Sequence, residues 1–588
     1  MRNMIKHLNA VISPREKKHI VGLIFMMFIG GILELIGVSA VFPLISVVMD
    51  SNASLSILLS SILGLDVENE RYKVIIILAV LLMVIYVLKN LYLTLMYGRI
   101  FSFIKNGIVH TSRQMFSLFI NSPYDIFMER DSSELERIVR SDVEGTYRVL
   151  KPLLQILSEV MICVILGILL FITDWRMSLF MVMFIGVIDG FFILRSKKIA
   201  ARLGEENITA RTFMMRDVMS AFGGIKELKI LGTEDYFIDL YSSDREHSAD
   251  CEERQQLYIQ IPRLLTETLC IIALMITMIA VTLYGSDING MIPVFAVFGV
   301  AAFRLLPSVG KINGFINEIA FNRPALESLY NEMDMIKDFE SRSRDRDTEK
   351  NVNDVIGDFK SIEFRKVSFR YNSGPVILDG IDLRIEKGET IGIVGKSGAG
   401  KTTLVDLIMG LLSASDGEII VNDDNTESAK KSRLLSIGYV PQDIYLANST
   451  VMENVAFGVK CEKIDRDRVK EVLQTAQAYD FVEKLAKGMD TLIGERGVRI
   501  SGGQKQRLGI ARALYRKAEV LIFDEATSAL DNKTEDDFIG AVSGLKGTHT
   551  MILIAHRVET LAMCDRIFEV KEGKVVERSF EEISDLRM

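Results

Sequence analysis

Cysteine is scarce in this sequence of 588 residues, and basic charge does not predominate. The five cysteines are scattered, without the spacing of a metal site or of a disulfide framework. The formal net charge of −8 gives no electrostatic support for a nucleic-acid partner. A cleavable signal peptide is not evident, because the basic N-terminus runs directly into an apolar stretch long enough to stay in a membrane.

Apolar residues are abundant instead, at 49% of the chain, and they are concentrated in its first half. A chain of this length exceeds what one hydrophobic core can organise, so two or more domains are expected. Six stretches are long and apolar enough to cross a bilayer of about 30 Å. The predicted spans are 20–48, 74–97, 153–172, 177–194, 264–284 and 288–316.

The connections between these spans alternate in length and charge. Those at 49–73, 173–176 and 285–287 are short and acidic, whereas 98–152 and 195–263 are long, rich in Lys and Arg, and helical in pattern. The positive-inside rule places the long loops and both termini in the cytosol. The sequence therefore predicts a multi-pass protein whose membrane helices extend into the cytosol.

The composition changes after the last span. Residues 336–357 are highly charged without an apolar period, which is typical of a linker. From residue 358 short β-rich runs alternate with amphipathic helices, as in an α/β domain. We therefore predict a membrane all-α domain of six transmembrane helices at 1–335, fused through this linker to a cytosolic α/β domain at 358–588.

A strand, a glycine-rich turn and a helix follow one another early in the second domain, and residues 395–402 fit the P-loop pattern GxxxxGK[ST]. Glycines let backbone N–H groups surround phosphate oxygens, and the helix N-terminus adds a positive dipole end. Lys401 is expected to reach the β- and γ-phosphates of ATP, and Thr402 to coordinate Mg²⁺. The nucleotide-binding residues predicted here are Gly395, Lys396, Ser397, Gly398, Ala399, Gly400, Lys401, Thr402 and Thr403.

Two adjacent carboxylates follow the apolar strand predicted at 520–523. Asp524 is expected to hold Mg²⁺, and Glu525 to polarise the attacking water as a general base. An Asp-Glu pair after a strand is weak support alone. Its place downstream of Lys401 and ahead of 528–531 makes the prediction of an ATPase site strong.

Taken together, these segments resemble the nucleotide-binding domain of ATP-binding cassette (ABC) transporters over about 358–580. Residues 500–504 resemble the signature LSGGQ with Ile for Leu, and 494–497 the exporter-specific segment before it. The resemblance implies that Tyr371 stacks on adenine, that Gln442 links Mg²⁺ to the membrane domain, and that His556 contacts the γ-phosphate. Further nucleotide contacts that it implies are Ser501, Gly502, Gly503, Gln504 and Asp531.

Six spans followed by one cassette resemble an exporter-type half-transporter. The resemblance implies a homodimer in which each ATP lies between the Lys401 loop of one chain and residues 501–504 of the other. ATP would then be hydrolysed at two composite sites. Residues 121–124 and 220–224 resemble the segments that carry coupling helices, which dock on the cassettes.

Basic residues inside the predicted spans point to the cargo, because charge is costly there and usually functional. Lys89, Arg263, Arg304 and Lys311 all fall towards the cytosolic side, and the last two share one helical face. Such a ring suits an anionic headgroup such as a diphosphate. Two alternatives stay open: Lys89 snorkels to the interface, and Arg263 pairs with Glu267.

Short motifs in the membrane half resemble the lipid-linked oligosaccharide flippases of the PglK type. They include 34–37, 225–232, 303–308 and 55–65, the last of which resembles the small external helix of that group. The resemblance implies a flippase of the bacterial cytoplasmic membrane that moves a polyprenyl-diphosphate-linked oligosaccharide from the inner to the outer leaflet. An exporter of hydrophobic drugs, peptides or other lipids is the alternative; a non-transporting ABC ATPase is disfavoured by the six fused spans.

Overall fold

The computed structural model describes residues 2–40, 67–128, 130–283, 288–344, 359–371, 374–422, 437–494, 497–525, 539–540, 542–555 and 558–585. The chain divides into two compact units. The first comprises Met1–Ser122 and Glu129–Ser341, and the second Pro123–Met128 and Arg342–Met588.

Helices make up the first unit. Those up to residue 344 are α1 Arg2–Val11, α2 Pro14–Ser39, α3 Val67–Ile120, α4 Asp125–Met128, α5 Ser132–Arg137, α6 Val143–Thr173, α7 Trp175–Gly223, α8 Ile225–Leu231, α9 Glu234–Leu283 and α10 Ile288–Arg344. The short α4 groups with the second unit. A π-helical turn, Ile138–Asp142, joins α5 to α6. As predicted, the polar loops 98–152 and 195–263 are largely helical.

Five helical segments of the described chain are long and apolar enough to cross a membrane. They are Pro14–Gly37, Ile75–Ile120, Ser132–Ile172, Trp175–Gly223 and Glu234–Ala280. They contain the second to fifth predicted spans apart from a few terminal residues, and the first predicted span up to Gly37. The sixth predicted span lies in α10, where most side chains up to residue 304 fall outside the described residues. Residues 41–66, which include the external segment 55–65, also fall outside them.

The first part of the predicted linker is helical. Helix α10 continues to Arg344 and so takes up residues 336–344, while 345–357 lie outside the described part of the chain. Charged residues without an apolar period still form a solvated helical end when the preceding turns fix the first hydrogen bonds, because extending a helix is easier than starting one.

A single residue separates the helices α6 and α7. Asp174 has an extended backbone (φ −151°), and its side chain accepts a hydrogen bond from the Met177 N–H at 2.9 Å. An Asp at this position satisfies one of the free N–H groups of the first turn of the next helix. The short acidic connection predicted at 173–176 is therefore a helix cap.

Polar side chains hold α7, α9 and α10 together inside the first unit. The Ser196 hydroxyl donates to the Asn317 carbonyl oxygen at 3.0 Å, and the Asn317 amide donates to the Tyr258 backbone oxygen at 2.8 Å. Gly204 lies so close to α10 that an added Cβ would overlap the backbone carbonyl of Phe321. Only glycine permits this approach of two helix backbones.

Two sheets form the second unit. Its strands are β1 Ser361–Arg370, β2 Val376–Glu386, β3 Thr390–Val394, β4 Asp416–Val421, β5 Ile437–Val440, β6 Val520–Asp524, β7 Thr550–Ile554, β8 Arg566–Lys571 and β9 Lys574–Arg578. An antiparallel sheet has the order β2-β1-β4, and a larger sheet the order β5-β6-β7-β3-β8-β9. In the larger sheet every pair is parallel except β8 with β9.

Most helices of this unit lie between its strands in sequence, and the last follows the final strand. Besides α4, they are α11 Lys401–Met409, α12 Val451–Val455, α13 Arg466–Thr475, α14 Tyr479–Glu483, α15 Gly502–Tyr515, α16 Val558–Leu561 and α17 Phe580–Asp585. The helix predicted at 401–412 ends three residues early, at Met409, because Gly410 adopts the left-handed conformation (φ 81°) that ends helices.

Strand register brings the ends of β3 and β6 to one edge of the larger sheet. Ile393 of β3 and Asp524 of β6 both align with Ile554 of β7, which lies between them. All five residues of β3 are buried, as expected of a central parallel strand covered on both faces. The segments that follow β3 and β6 are therefore neighbours, at the carboxyl edge where open parallel sheets bind ligands.

Replacement of Gly204 by Ala is expected to destabilise the first unit by about 1–3 kcal/mol, because α7 and α10 must separate to admit the methyl group. Gly186→Ala in the same helix is the control, since its added Cβ meets nothing within 4 Å and alanine favours helix. Melting temperatures of the detergent-solubilised protein test this. Equal melting temperatures for the two variants would contradict the close packing at Gly204.

Candidate functional site

The glycine-rich loop 395–400 closes tightly against the sheet. Gly395 has φ 152°, and an added Cβ would lie 2.5 Å from the Val570 carbonyl oxygen, so the loop begins where only glycine fits. Lys401, the first residue of α11, is only 7% exposed. Its ammonium donates to the backbone oxygens of Gly395 at 2.8 Å and Lys396 at 3.3 Å. The first two residues of the loop thus hold the ammonium of the lysine that follows the loop.

Electrostatics link Lys401 to the carboxylates after β6. Burial lowers the pKa of Lys401, and the charges of Glu525 and Asp524 oppose that shift. Burial raises the pKa of Asp524, while Lys401 and a hydrogen bond from Tyr439 act to lower it. The Tyr439 hydroxyl donates to Asp524 Oδ2 at 3.0 Å. One cation and two carboxylates therefore share a half-buried space beside the loop.

Glu525 adopts an uncommon backbone conformation. Its φ is 46°, in the left-handed region that costs a non-glycine residue about 1 kcal/mol or more. Its N–H still donates to the Ile554 carbonyl at 3.1 Å, so the turn follows directly on the strand ladder. The Gln442 amide donates to Glu525 Oε2 at 2.9 Å, which joins two side chains far apart in sequence. Strained residues of this kind cluster at functional sites.

The segment 501–504 begins helix α15. The Gln504 N–H donates to the Ser501 hydroxyl at 3.4 Å, and the Ser501 N–H donates to Gln504 Oε1 at 2.9 Å, which is a capping box. Ser501 and Gly502 are exposed, whereas Gly503 is buried. The start of α15 therefore presents hydroxyl and backbone donors to its surroundings.

Of three other residues predicted to contact ATP, the structure describes Tyr371 alone. The Tyr371 hydroxyl lies 3.2 Å from the Thr403 hydroxyl, and its ring packs edge-on against Phe369, so it borders the first turn of α11. Asp531 and His556 lie outside the described residues.

Comparisons with known proteins agree with this geometry. The sequence profile of the ABC transporter family matches residues 378–528. An ATP-dependent lipid A-core flippase of Cupriavidus pinatubonensis is 30% identical over 490 residues, which are 82% of this chain and 81% of the relative.

The chain belongs to the ABC transporter family. ABC transporter B family member 29 of Arabidopsis thaliana is 38% identical over 300 residues, 51% of this chain and 46% of that protein. A bacterial Atm1-family ABC exporter with ATP bound shares the fold, with a TM-score of 0.77 at 21% identity over 97% of this chain and 96% of the other. The protein is thus an exporter-type half-transporter, a multi-pass membrane protein in which a cytosolic ABC domain couples ATP hydrolysis to transport.

The basic residues predicted to bind the transporter's cargo are arranged differently from the expected open ring. Lys89 is 7% exposed and pairs with Glu34 of α2 at 3.1 Å, with its ammonium also 4.4 Å from the centre of the Tyr86 ring. An ammonium held in this way has its charge neutralised inside the protein. The Lys89 ammonium is therefore directed towards Glu34 and Tyr86 within the first unit.

Lys311 is the basic residue of this set with a described cavity beside it. Its side chain is 48% exposed, and its ammonium pairs with Glu159 of α6 at 2.9 Å. Both line a cavity of about 520 Å³ between α3, α6 and α10, together with Gln155, Ser158 and Phe315.

Arg263 and Arg304 have less defined surroundings. Arg263 is exposed, its stem packs on Gly310, and among the described residues it forms no ion pair with Glu267. The side chain of Arg304 lies outside the described residues.

Sequence reasoning missed the acidic residues of the transporter's membrane half. Glu34, Glu159 and Asp189 are each at most 6% exposed. Asp189 accepts from the Thr266 hydroxyl at 2.8 Å, while its other oxygen and Glu159 Oε2 have no partner in the described structure. The cost of charge inside a membrane applies to acids and bases alike. Searching the spans for both signs would have found these residues.

Asp406 was also missed. It lies on α11, is 8% exposed, and its pKa is raised to about 6 by burial and by the charge of Asp524. Tyr439, whose hydroxyl donates to Asp524, was also missed because it belongs to none of the recognised motifs. A lone acid in an otherwise apolar helix, Thr-Leu-Val-Asp-Leu-Ile, was the available signal.

The raised pKa of Asp406 predicts that Asp406→Asn stabilises the nucleotide-free protein at neutral pH. Because the folded state binds this proton more tightly than the unfolded state, wild-type stability falls as pH rises from about 4 to about 6. Above pH 6 the variant should exceed wild type by about 1–3 kcal/mol, and near pH 4 the gap should close. Melting temperatures across this pH range, with a chelator present and exposed Asp480→Asn as control, measure it. A gap independent of pH would be contrary to this account.

Proposed function

We propose that the protein is an ATP-driven flippase that moves a polyprenyl-diphosphate-linked oligosaccharide, or a similar anionic glycolipid, from the inner to the outer leaflet. The observation that carries the proposal is the similarity to a lipid A-core flippase, which extends over four-fifths of the chain rather than over the cassette alone. Cargo contacts are made by the membrane half. The similarity of that half therefore supports a lipid with a large polar headgroup.

Nucleotide binding is assigned to the glycine-rich loop and its neighbours. The Lys401 ammonium, which now donates to the carbonyl oxygens of Gly395 and Lys396, would donate instead to the β- and γ-phosphate oxygens of ATP. Residues 395–403 would surround the phosphates, and Tyr371, which borders α11, would stack on adenine. Asp531 and His556 are proposed to complete the site.

Mg²⁺ is the expected metal, because the donors present are oxygens, which suit a hard cation. Tyr439 occupies one oxygen of Asp524 and leaves the other available. Gln442 uses its amide nitrogen towards Glu525 and so keeps its carbonyl oxygen for the cation. The exposed Thr402 would add its hydroxyl. When bound, Mg²⁺ neutralises phosphate charge.

Glu525 is proposed as the general base. The hydrogen bond from Gln442 and the left-handed backbone fix its carboxylate at the carboxyl edge of the sheet, near Lys401. A carboxylate so held can take a proton from water without reorganising.

We also propose a homodimer with two composite ATP sites. The exposed Ser501 and Gly502 at the start of α15 offer donors that suit a γ-phosphate held by a second chain. Exposed apolar side chains near α8 support docking against another chain: Phe222 is 74%, Ile230 74% and Leu231 72% exposed. The short helix α4, which groups with the second unit, supports a coupling role for the loop around 121–124.

The cargo site is proposed on the cationic side chains that remain after Lys89 is assigned to its pair with Glu34. Lys311, half-exposed on its cavity, would exchange Glu159 for a phosphate oxygen of the diphosphate. Arg304, on the same face of α10, and the exposed Arg263 would supply further donors. Domain limits at 335 and 358, cytosolic termini and a location in the bacterial cytoplasmic membrane complete the proposal.

A second candidate is an exporter of hydrophobic drugs, peptides or other lipids. The cavity beside Lys311 favours it in one respect, since Ile100, Phe101 and Phe315 give that cavity apolar walls. A non-transporting ABC ATPase has little support, because five described helices are apolar enough to cross a membrane.

Glu525→Gln should bind ATP yet hydrolyse it about 10²–10⁴-fold more slowly, because an amide keeps the hydrogen bond from Gln442 but cannot take a proton. ATPase rates and nucleotide affinity of the purified variant measure this, with exposed Glu462→Gln as control. Near-normal turnover would remove Glu525 as the base.

Joint replacement of Arg304 and Lys311 by Gln should lower glycolipid transport by at least about tenfold, since each lost charge-assisted hydrogen bond contributes about 1.5–3 kcal/mol. The measurement is flipping of a fluorescent polyprenyl-diphosphate glycan in proteoliposomes. Lys337→Gln, an exposed lysine further along α10, is the matched control. Unchanged flipping in the double variant would reject a cationic cargo site.

A further inference from the structure

Three metal-ligating side chains meet on the long helices α7 and α9, beyond the predicted spans of both. They are Glu206 on α7 and His247 and Cys251 on α9. One ligand atom from each lies within 4.8 Å of the other two. In the part of the chain that the structure describes, no other group of three His, Cys, Asp or Glu residues comes this close.

Helix geometry explains why these residues meet. His247 and Cys251 are separated by one helical turn and so lie on the same face of α9. The Ser248 hydroxyl donates to the Asn207 side-chain oxygen at 2.7 Å, and both side chains are buried. This bond fixes α9 against α7 next to the cluster, which brings Glu206 opposite the His–Cys pair.

The donor set indicates the class of ion. A sulfur, an imidazole nitrogen and a carboxylate oxygen suit Zn²⁺ and related transition metals, whereas Mg²⁺ and Ca²⁺ prefer oxygens alone. Ligand atoms around tetrahedral zinc are roughly 3.3–3.8 Å apart. Closing from 4.8 Å therefore needs about one ångström of side-chain movement, which the exposed His247 can make.

The remaining contacts of the three residues leave their ligand atoms available. Arg202 donates from Nε to Glu206 Oε1 at 2.8 Å, and the arginine side chain is 81% exposed. An exposed pair of this kind is weak, and it orients the carboxylate while leaving the second oxygen for a metal. Cys251 is 2% exposed and packs with Leu203 and Phe321. Its thiol forms no disulfide and lies within 4.8 Å of the ligand atoms of the other two residues.

We propose that Glu206, His247 and Cys251 form a binding site for a divalent cation of the zinc class, which joins α7 to α9. The ion completes its coordination with water, since the chain offers three ligands and zinc takes four. Cys251 binds as the thiolate and releases its proton, so the affinity rises with pH. Because the ion bridges two long helices, its binding resists any change in their relative position during transport.

Metal titration of the full-length protein in nanodiscs tests the site. After treatment with a chelator, Zn²⁺ added against a chromophoric competitor should bind at one high-affinity site per chain, and Co²⁺ should give the near-ultraviolet absorption of a thiolate-bound ion. His247→Gln and Cys251→Ser should each weaken Zn²⁺ binding by at least tenfold. The controls are His19→Gln and Cys461→Ser, which make the same replacements outside the cluster. They should leave the Zn²⁺ affinity unchanged. Equal Zn²⁺ affinity in wild type and His247→Gln would overturn the proposal.

Thiol protection gives a second measurement of Zn²⁺ binding at Cys251. Zn²⁺ should slow alkylation of Cys251 in wild type, as followed by mass spectrometry, and should not slow it in His247→Gln. Because His247 is exposed, this variant is expected to fold normally, which its melting temperature without metal checks. Protection by Zn²⁺ of the same extent in both proteins would exclude His247 as a ligand and defeat the proposal.

Discussion

A charge buried away from water must have a partner, and both units of this transporter are organised by that requirement. In the membrane half, Lys89 pairs with Glu34 and Lys311 with Glu159. In the cassette, Lys401 is held by loop carbonyls beside Asp524 and Glu525. The two pairs of the membrane half differ in exposure. Lys89 is buried, whereas the side chain of Lys311 is half-exposed beside a cavity. We infer that a buried ion pair fixes neighbouring helices, whereas a half-exposed cation can receive an anion.

Sequence predicted the cassette well because its signals are local. The strand Thr390–Val394, its glycine turn and the helix at Lys401 are contiguous, and each needs only neighbouring residues to be recognised. The signature at 500–504 was likewise recognised from contiguous residues, and the structure shows that its Ser501 and Gln504 form a capping box. Membrane helices were predicted for a similar reason, since about 20 apolar residues suffice to identify a span. The helical conformation of residues 336–344 was not predicted, because a solvated helical end has no apolar period.

Pairings between distant segments could not be predicted from the sequence. The bond from Gln442 to Glu525 depends on parallel strands β5 and β6 lying side by side. Glu34 and Lys89 meet only because α2 packs on α3, so a lysine predicted to serve cargo proved to be neutralised. The cysteines were judged to lack metal-ligand spacing, yet His247 and Cys251 share a helical face, and their third neighbour comes from α7. In each case the missing information was tertiary packing.

The central claim is that ATP hydrolysis moves a lipid through its diphosphate-bearing headgroup. Reconstituted transport, comparing a polyprenyl-diphosphate glycan with an uncharged hydrophobic drug in the same proteoliposomes, tests it most directly. The account predicts ATP-dependent flipping of the glycan, inhibition by excess unlabelled glycan, and no inhibition by the drug. ATP-dependent movement of the drug with no movement of the glycan would contradict it.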